Sequence, residues 1–276
     1  METYAVGPEL HALPSALPIP DSGLQPVNAY LLRGEQPMLV DAGMPVDRDA
    51  FEEALWSLVD PADLRWIAIT HDDRDHTGSL TRILDHAPGA KIVTNGISLT
   101  RLSEEFEIPR GRVVTVNSGS RISIGDRKVS FHRPPTFDSP GTLAVFDHEA
   151  GTLFSSDSFG TVLPETVQHV GDADAKEFFE GFDVLNRAIA PWTALVDAEK
   201  FLRTVHAVSS LSPARVLSAH GPTVEGRMVT SLMEAMARIP FLPAWLPGAD
   251  VDLEAALDAH GARAAPDCPG TRLSRR

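Results

Sequence analysis

Two histidines and three aspartates fall within six consecutive residues, His71-Asp72-Asp73-Arg74-Asp75-His76, directly after the apolar run Trp66-Ile67-Ala68-Ile69. A loop that opens from a buried strand can turn imidazole and carboxylate groups inward while the strand holds its base rigid. Without a cation, carboxylates crowded beside a core repel one another and resist desolvation. The simpler reading of these six residues is a solvated acidic turn, so the decision rests on what else the chain brings to strand ends.

Five further polar residues stand at such ends. Asp41 follows Met38-Leu39-Val40, His132 closes Val129-Ser130-Phe131, and Asp157 follows Leu153-Phe154-Ser155-Ser156. His220 follows Val216-Leu217-Ser218-Ala219, and Asp138 lies in Pro135-Thr136-Phe137-Asp138-Ser139-Pro140-Gly141. Each alone reads as a cap or turn residue. Their recurrence at successive strand ends, after so dense a loop, points to a shared metal site. Ser155, Ser156 and Ser158 read as turn residues rather than nucleophiles, because no Gly-x-Ser-x-Gly elbow surrounds them. The remaining histidines (His11, His86, His148, His169, His206 and His260) read as surface or cap residues, with His169 the one placed to line a pocket mouth. Tyr30, Phe159 and Trp192 read as packing residues.

The elements that must position these groups alternate. Strands are expected over 27–32, 38–40, 65–69 and 91–94, with helices over 47–59, 79–86 and 96–105 between or after them. Short strands follow over 113–116, 121–124, 129–132, 143–146 and 152–154. Helices over 175–190 and 194–211, a strand over 214–218 and a helix over 224–238 complete the pattern. Strands and helices in each half, with polar loops at strand ends, predict an α/β sandwich of two facing sheets with helices outside. We expect one domain over 1–240 and a Pro/Ala-rich tail over 241–276 with one short helix, 253–260.

The formal net charge of −14, from 38 acidic and 24 basic residues, argues against a nucleic-acid surface and against docking on anionic membranes. Cys268 is the only cysteine, which excludes an intramolecular disulfide and any Cys-rich zinc or iron–sulfur site. The N-terminal residues lack the basic start and apolar core of a secretory signal, and no apolar run approaches membrane-spanning length, so a cytoplasmic protein is expected.

In the order of these motifs the chain resembles the metallo-β-lactamase fold superfamily over residues 23–238. That family carries Asp-x-Gly after an early strand, then His-x-His-x-Asp-His, a later His before a Pro-Gly turn, a bridging Asp and a last His. Here Asp73 takes the place of the second His, and Asp138 that of the later one. A carboxylate at Asp73, followed by Asp75-His76-Thr77-Gly78-Ser79, is similar to the oxygen-binding di-iron, or flavodiiron, branch, whose pattern is His-x-Glu-x-Asp-His-x-Gly-Ser. Three other stretches fit that branch: Asn28-Ala29-Tyr30-Leu31, the Leu153 to Gly160 loop, and Ala219-His220-Gly221-Pro222. The helical segment 178–192 is also placed as in it.

The resemblance implies one metal on His71, Asp73 and Asp138, and another on Asp75 and His220 with His76 near or on it. Asp157 would bridge the two, and His132 is an alternative ligand should the chain shift. Asp41 is expected to orient a ligand histidine rather than bind metal. Asp73 is shorter than the branch's Glu, and Asp138 stands where the branch has His. Mixed carboxylate and imidazole donors suit iron or manganese better than zinc. The expected function is a non-haem di-iron protein that binds or reduces O2, NO or peroxide. Flavodiiron enzymes carry a fused flavodoxin domain, and no flavin-phosphate loop is legible after Arg238, so electrons are expected from a separate donor. The branch also implies a homodimer. One alternative is a two-metal hydrolase of a small ester, lactone, thioester or phosphodiester, with zinc as the metal. A second is a degenerate site used for binding or sensing.

Overall fold

The computed structural model describes residues 1–19 and 23–245. Apolar alternation along its short central strands sets up two buried faces rather than one. Leu31, Leu39, Ile67 and Ile92 point to one side, while Tyr30, Val40, Ala68 and Val93 point to the other. These strands belong to a seven-stranded sheet in sequence order: β1 (Tyr4–Gly7), β2 (Leu10–Ile19), β3 (Gly23–Leu32), β4 (Met38–Val40), β5 (Trp66–Ala68), β6 (Lys91–Thr94) and β7 (Val113–Thr115). Neighbours from β1 to β4 run antiparallel, and those from β4 to β7 run parallel. The change follows from the connections. A short turn joins β3 to β4, whereas the later strands are separated by α1 (Arg48–Leu58), α2 (Arg74–Thr77) with α3 (Leu80–His86), and α4 (Gly96–Glu105).

The second sheet contains β8 (Arg121–Ser123), β9 (Lys128–His132), β10 (Ala144–Asp147), β11 (Thr152–Phe154), β12 (Arg215–Leu217) and β13 (Val224–Glu225), in the order β13-β12-β11-β10-β9-β8. Only β11 and β12 are parallel, because α5 (Ala175–Ile189) and α6 (Ala198–Ser209) lie between them. α7 (Arg227–Arg238) follows β13. One apolar cluster fills the space between the sheets, joining Tyr30, Met38 and Val40 to Phe131, Val145 and Phe154. A second packs Phe51, Leu55, Leu80 and Ile83 of the helices on the first sheet. A third packs Phe178, Phe182, Phe201 and Leu232 on the second. Two mixed sheets with helices outside are the architecture expected from the sequence.

Besides α2, a turn of helix inside the expected 71–76 loop, and β3, which starts at Gly23 rather than at residue 27, three segments depart from the expected elements. The first 19 residues form β1 and β2, where no strand is legible. Helix 194–211 is instead a 3-10 turn, Pro191–Leu195, followed by α6, which starts where Asp197 accepts the Lys200 backbone N–H at 3.2 Å. Helix 224–238 begins later, because Val224–Glu225 pairs with β12 and Gly226 then turns at φ +59°. The tail helix expected at 253–260 lies outside the described residues. No helix among the described residues is long and apolar enough to cross a membrane.

Candidate metal centre

The polar strand ends collect at one edge of the sandwich. Asp41 leaves β4, Thr70 and His71 leave β5, Ser155 to Asp157 leave β11, Ser218 to His220 leave β12, and Asp138 lies in the β9–β10 connection. Backbone hydrogen bonds fasten these loops together across the two sheets. Leu143 N–H donates to Thr70 O (2.9 Å), Ala219 N–H to Ser156 O (2.9 Å), and Asn28 N–H to Ala219 O (2.8 Å). The His71–His76 loop rests on the turn after β4. Ala42 N–H donates to His76 O (2.7 Å) and Gly78 N–H to Gly43 O (2.8 Å). Residue 78 must be glycine there, since a methyl group would overlap the backbone of Met44 and Pro45.

Seven of the eight residues singled out as ligands or their orienting group by sequence order converge as donors. His71 Nε2 lies 3.7 Å from Asp73, 3.8 Å from Asp138 and 3.5 Å from Asp157 Oδ2. The other oxygen of Asp157 lies 3.1 Å from His76 Nε2 and 3.4 Å from His220 Nε2. Asp75 stands 3.6 Å from each of those two nitrogens. One donor group is thus His71, Asp73 and Asp138, the other is Asp75, His76 and His220, and Asp157 turns one oxygen to each. The eighth residue, Asp41, accepts a hydrogen bond from His76 Nδ1 at 2.9 Å and lies behind the ring. His132 does not join the group. Its Nε2 is 2.7 Å from the Ser130 hydroxyl, and β9 aims it elsewhere. His169 also stands apart, beside Tyr4 with ring centroids 6.3 Å apart.

The tautomers suit a metal. His76 donates from Nδ1 to Asp41, and His220 donates from Nδ1 to Pro26 O at 2.8 Å, which leaves both Nε2 lone pairs facing the gap. His71 and His76 are fully buried, yet their Nε2 atoms have no hydrogen-bond partner. Asp157 is close enough to His76 but off the ring's bonding direction, so the lone pair aims past it. Two orphaned buried nitrogens and four converging carboxylates are the donor set of a dinuclear site.

Electrostatics mark the cluster as a place that favours positive charge. Burial pushes the pKa of His71 down, but Asp157 and the carboxylates of Asp73 and Asp138 lift it to about 9. His76 and His220 are also raised against the effect of burial, by Asp75, Asp41 and Asp157 for the first and chiefly by Asp157 for the second. Burial raises Asp157, yet the three imidazoles around it hold it well below the usual carboxylate range. Asp138 is pushed up to about 6, by burial and then by repulsion from Asp157. The carboxylates that draw protons to these imidazoles would equally favour divalent cations.

Several supporting residues have no distinctive sequence signal. Ser156, held at φ +57°, places its hydroxyl 3.2 Å from His71 Nδ1 and donates to Thr70 Oγ1 at 3.0 Å. Thr70 Oγ1 in turn donates to Asp41 at 2.9 Å. Asn186, fully buried on α5, accepts from Phe159 N–H (3.1 Å) and Thr136 Oγ1 (2.9 Å), and so ties α5 to the loops of Asp157 and Asp138. Asp72, solvated in the simple reading, accepts from Ser98 Oγ (2.9 Å) and Arg101 (3.2 Å). Arg101 also reaches Ser139, beside Asp138, at 3.2 Å. Trp192 packs on Phe137 with centroids 4.8 Å apart and donates to its carbonyl at 2.9 Å.

Facing mixed sheets, outer helices and a His/Asp cluster at the strand ends define a protein of the metallo-β-lactamase fold. The chain belongs to the family described as ODP family beta lactamase, whose model matches residues 26–221. It is similar to a protein of Thermosynechococcus vestitus provisionally named diflavin flavoprotein A 1, 34% identical over 134 residues, which are 48% of this chain and 23% of that protein. It is also similar to the anaerobic nitric oxide reductase flavorubredoxin of Salmonella typhi, 28% identical over 154 residues, covering 55% of this chain and 32% of that one. Among solved structures, the rubredoxin oxygen:oxidoreductase of Desulfovibrio gigas superposes with a TM-score of 0.77 at 17% identity, over 87% of this chain and 62% of that chain. The matched stretch is thus about a quarter to a third of the length of these curated relatives.

Proposed function

We propose that the centre holds two iron ions and binds or reduces O2, NO or a peroxide with electrons from a separate donor. The observation that carries this reading is the placing of Asp157, one oxygen toward His71 and the other toward His76 and His220. That is the position of a carboxylate between two cations. His71, Asp73 and Asp138 would hold one ion, and Asp75, His76 and His220 the other. Four aspartates balance the charge of two divalent ions, and the mixture of carboxylate and imidazole suits iron. Once bound, the ions would supply one-electron redox chemistry and open positions for a small ligand. The names of the diflavin and nitric oxide reductase relatives support the same chemistry.

The chain's own contribution is orientation and exclusion of water. Asp41 and Pro26 O fix the rings of His76 and His220, and burial of all three imidazoles keeps water from the inner side. Asp73 and Asp138, 48% and 31% exposed, leave the outer side open to a small molecule. The reading includes a homodimer in the cytoplasm.

Elemental analysis of protein purified without added metal tests it, with two irons per chain expected. The loaded protein should consume O2 or NO only when a reduced donor protein is supplied. Two zincs with turnover of a generic ester or phosphodiester would replace it with the hydrolase reading, and no metal after reconstitution would leave a binding domain. Asp157→Ala should lose both ions; retention of both would show that Asp157 does not bridge.

A further inference from the structure

On the second sheet, away from the metal centre, the end of β9 and one side of α6 enclose a cavity of about 370 Å³. Its polar lining consists of Ser118, His132, Arg133, Lys200, Arg203 and Thr204, with no carboxylate among the lining residues. In a chain of net charge −14, three cationic side chains around one concavity are a local reversal of the overall field.

Arg133 is the informative member. Its backbone N–H donates to Ser118 Oγ at 3.1 Å, and its guanidinium stands 4.9 Å from the Phe137 ring centroid. Its Nη1 is buried without a hydrogen-bond partner, and it makes no ion pair with any described residue. Burial alone lowers its pKa, with no acidic group to oppose the effect. A partly buried cation with an unsatisfied donor calls for an anionic partner. Lys200 and Arg203 are only loosely engaged, 3.7 Å from Asp197 and 3.6 Å from Glu199, in pairs that are more than half exposed. Solvent screens such pairs, so both cations remain free to turn to a ligand. Ser118 Oγ accepts from Arg133, and its own proton is available to donate.

We infer that this cavity is an anion site that takes the phosphate group of a small phosphorylated molecule. Two guanidinium forks and an ammonium match a tetrahedral dianion better than a single carboxylate. The volume exceeds that of one phosphate and leaves room for the rest of an ester. The site is independent of the metal reading, since none of its lining residues is a proposed ligand.

Calorimetric titration of the metal-loaded protein with inorganic phosphate and with phenyl phosphate tests the inference. Saturable binding tighter than about 1 mM is expected, weakened about tenfold or more in Arg133→Met and in Arg203→Ala. Arg203 is surface-exposed, so its variant keeps the test valid if Arg133→Met does not fold. Both variants should keep their metal, whereas Asp157→Ala should lose metal and still bind phosphate. Stronger binding of the ester than of free phosphate identifies a phosphorylated molecule as the ligand. Preference for free phosphate would overturn that part of the inference. The site itself is overturned if the protein shows no saturable phosphate binding, if both arginine variants bind unchanged, or if binding disappears with the metals in Asp157→Ala.

Discussion

At Asp41, whose backbone stands at φ +62°, one carboxylate oxygen accepts from the His76 ring and the Thr70 hydroxyl, while the other accepts the Thr70 amide. His71 reaches the same carboxylate through Ser156 and Thr70, so one acidic group orients a histidine in each half of the centre. Asp41→Ala should therefore weaken both ions, by about 10- to 100-fold in affinity. Ser156→Ala should weaken chiefly the ion on His71, and competition with a chromogenic chelator would separate the two cases. Protons add a second prediction. With His71 raised to about 9, a metal arriving at pH 7 must displace a proton, so uptake should release protons and tighten as pH rises toward 9. Calorimetry in buffers of different ionisation enthalpy reads that release. The sign for the metal-free fold is opposite. A raised histidine stabilises fully below its unfolded pKa near 6.5, and that contribution is lost as pH rises through about 9. The ligands were legible because His and Asp recur at strand ends. The hydroxyl path through Ser156 and Thr70 was not, because those residue types fill ordinary turns as well.

Among the elements, the seat of the His71–His76 loop depends on contact between two turns. Gly78→Ala should force that loop off Met44 and Pro45, destabilise the fold by about 1–3 kcal/mol in denaturant titration, and lower metal content with it. Short buried strands such as Met38–Val40 and Lys91–Thr94 were readable from their apolar runs between turn signals. β2 was not, for a physical reason. Pro14 and Pro18 argue against a central strand, but β1 covers β2 only as far as Ala12, so both prolines lie where the outer edge has no β1 partner. The missed break before α7 has a similar local cause, since nothing in the composition shows that Gly226 turns to positive φ rather than continuing a helix.

For the whole molecule, helices cover the outer face of each sheet, and one of them, α5, also reaches the loops of the centre. Phe182, fully buried on α5, belongs to the cluster on the second sheet, and Asn186 on the same helix ties to the Asp157 loop. Phe182→Ala should cost about 3–5 kcal/mol of stability, read from the thermal or denaturant midpoint. Because Asn186 on that helix holds the loops of Asp157 and Asp138, metal affinity should fall in the same variant. The sandwich was legible from the alternation of elements. That residues 71, 138, 157 and 220 meet at one edge followed from the family resemblance, since periodicity carries no information on which strand ends adjoin.

The unequal exposure of the two donor groups has a kinetic consequence. His76 and His220 sit rigid and buried, while Asp73 and Asp138 reach into solvent. Asp75, 27% exposed, also meets solvent, so each group opens outward through its carboxylates and is closed behind by its imidazoles. With one solvent-facing carboxylate against two, the ion on His76 and His220 should exchange more slowly than its neighbour, and stopped-flow chelation should show two phases.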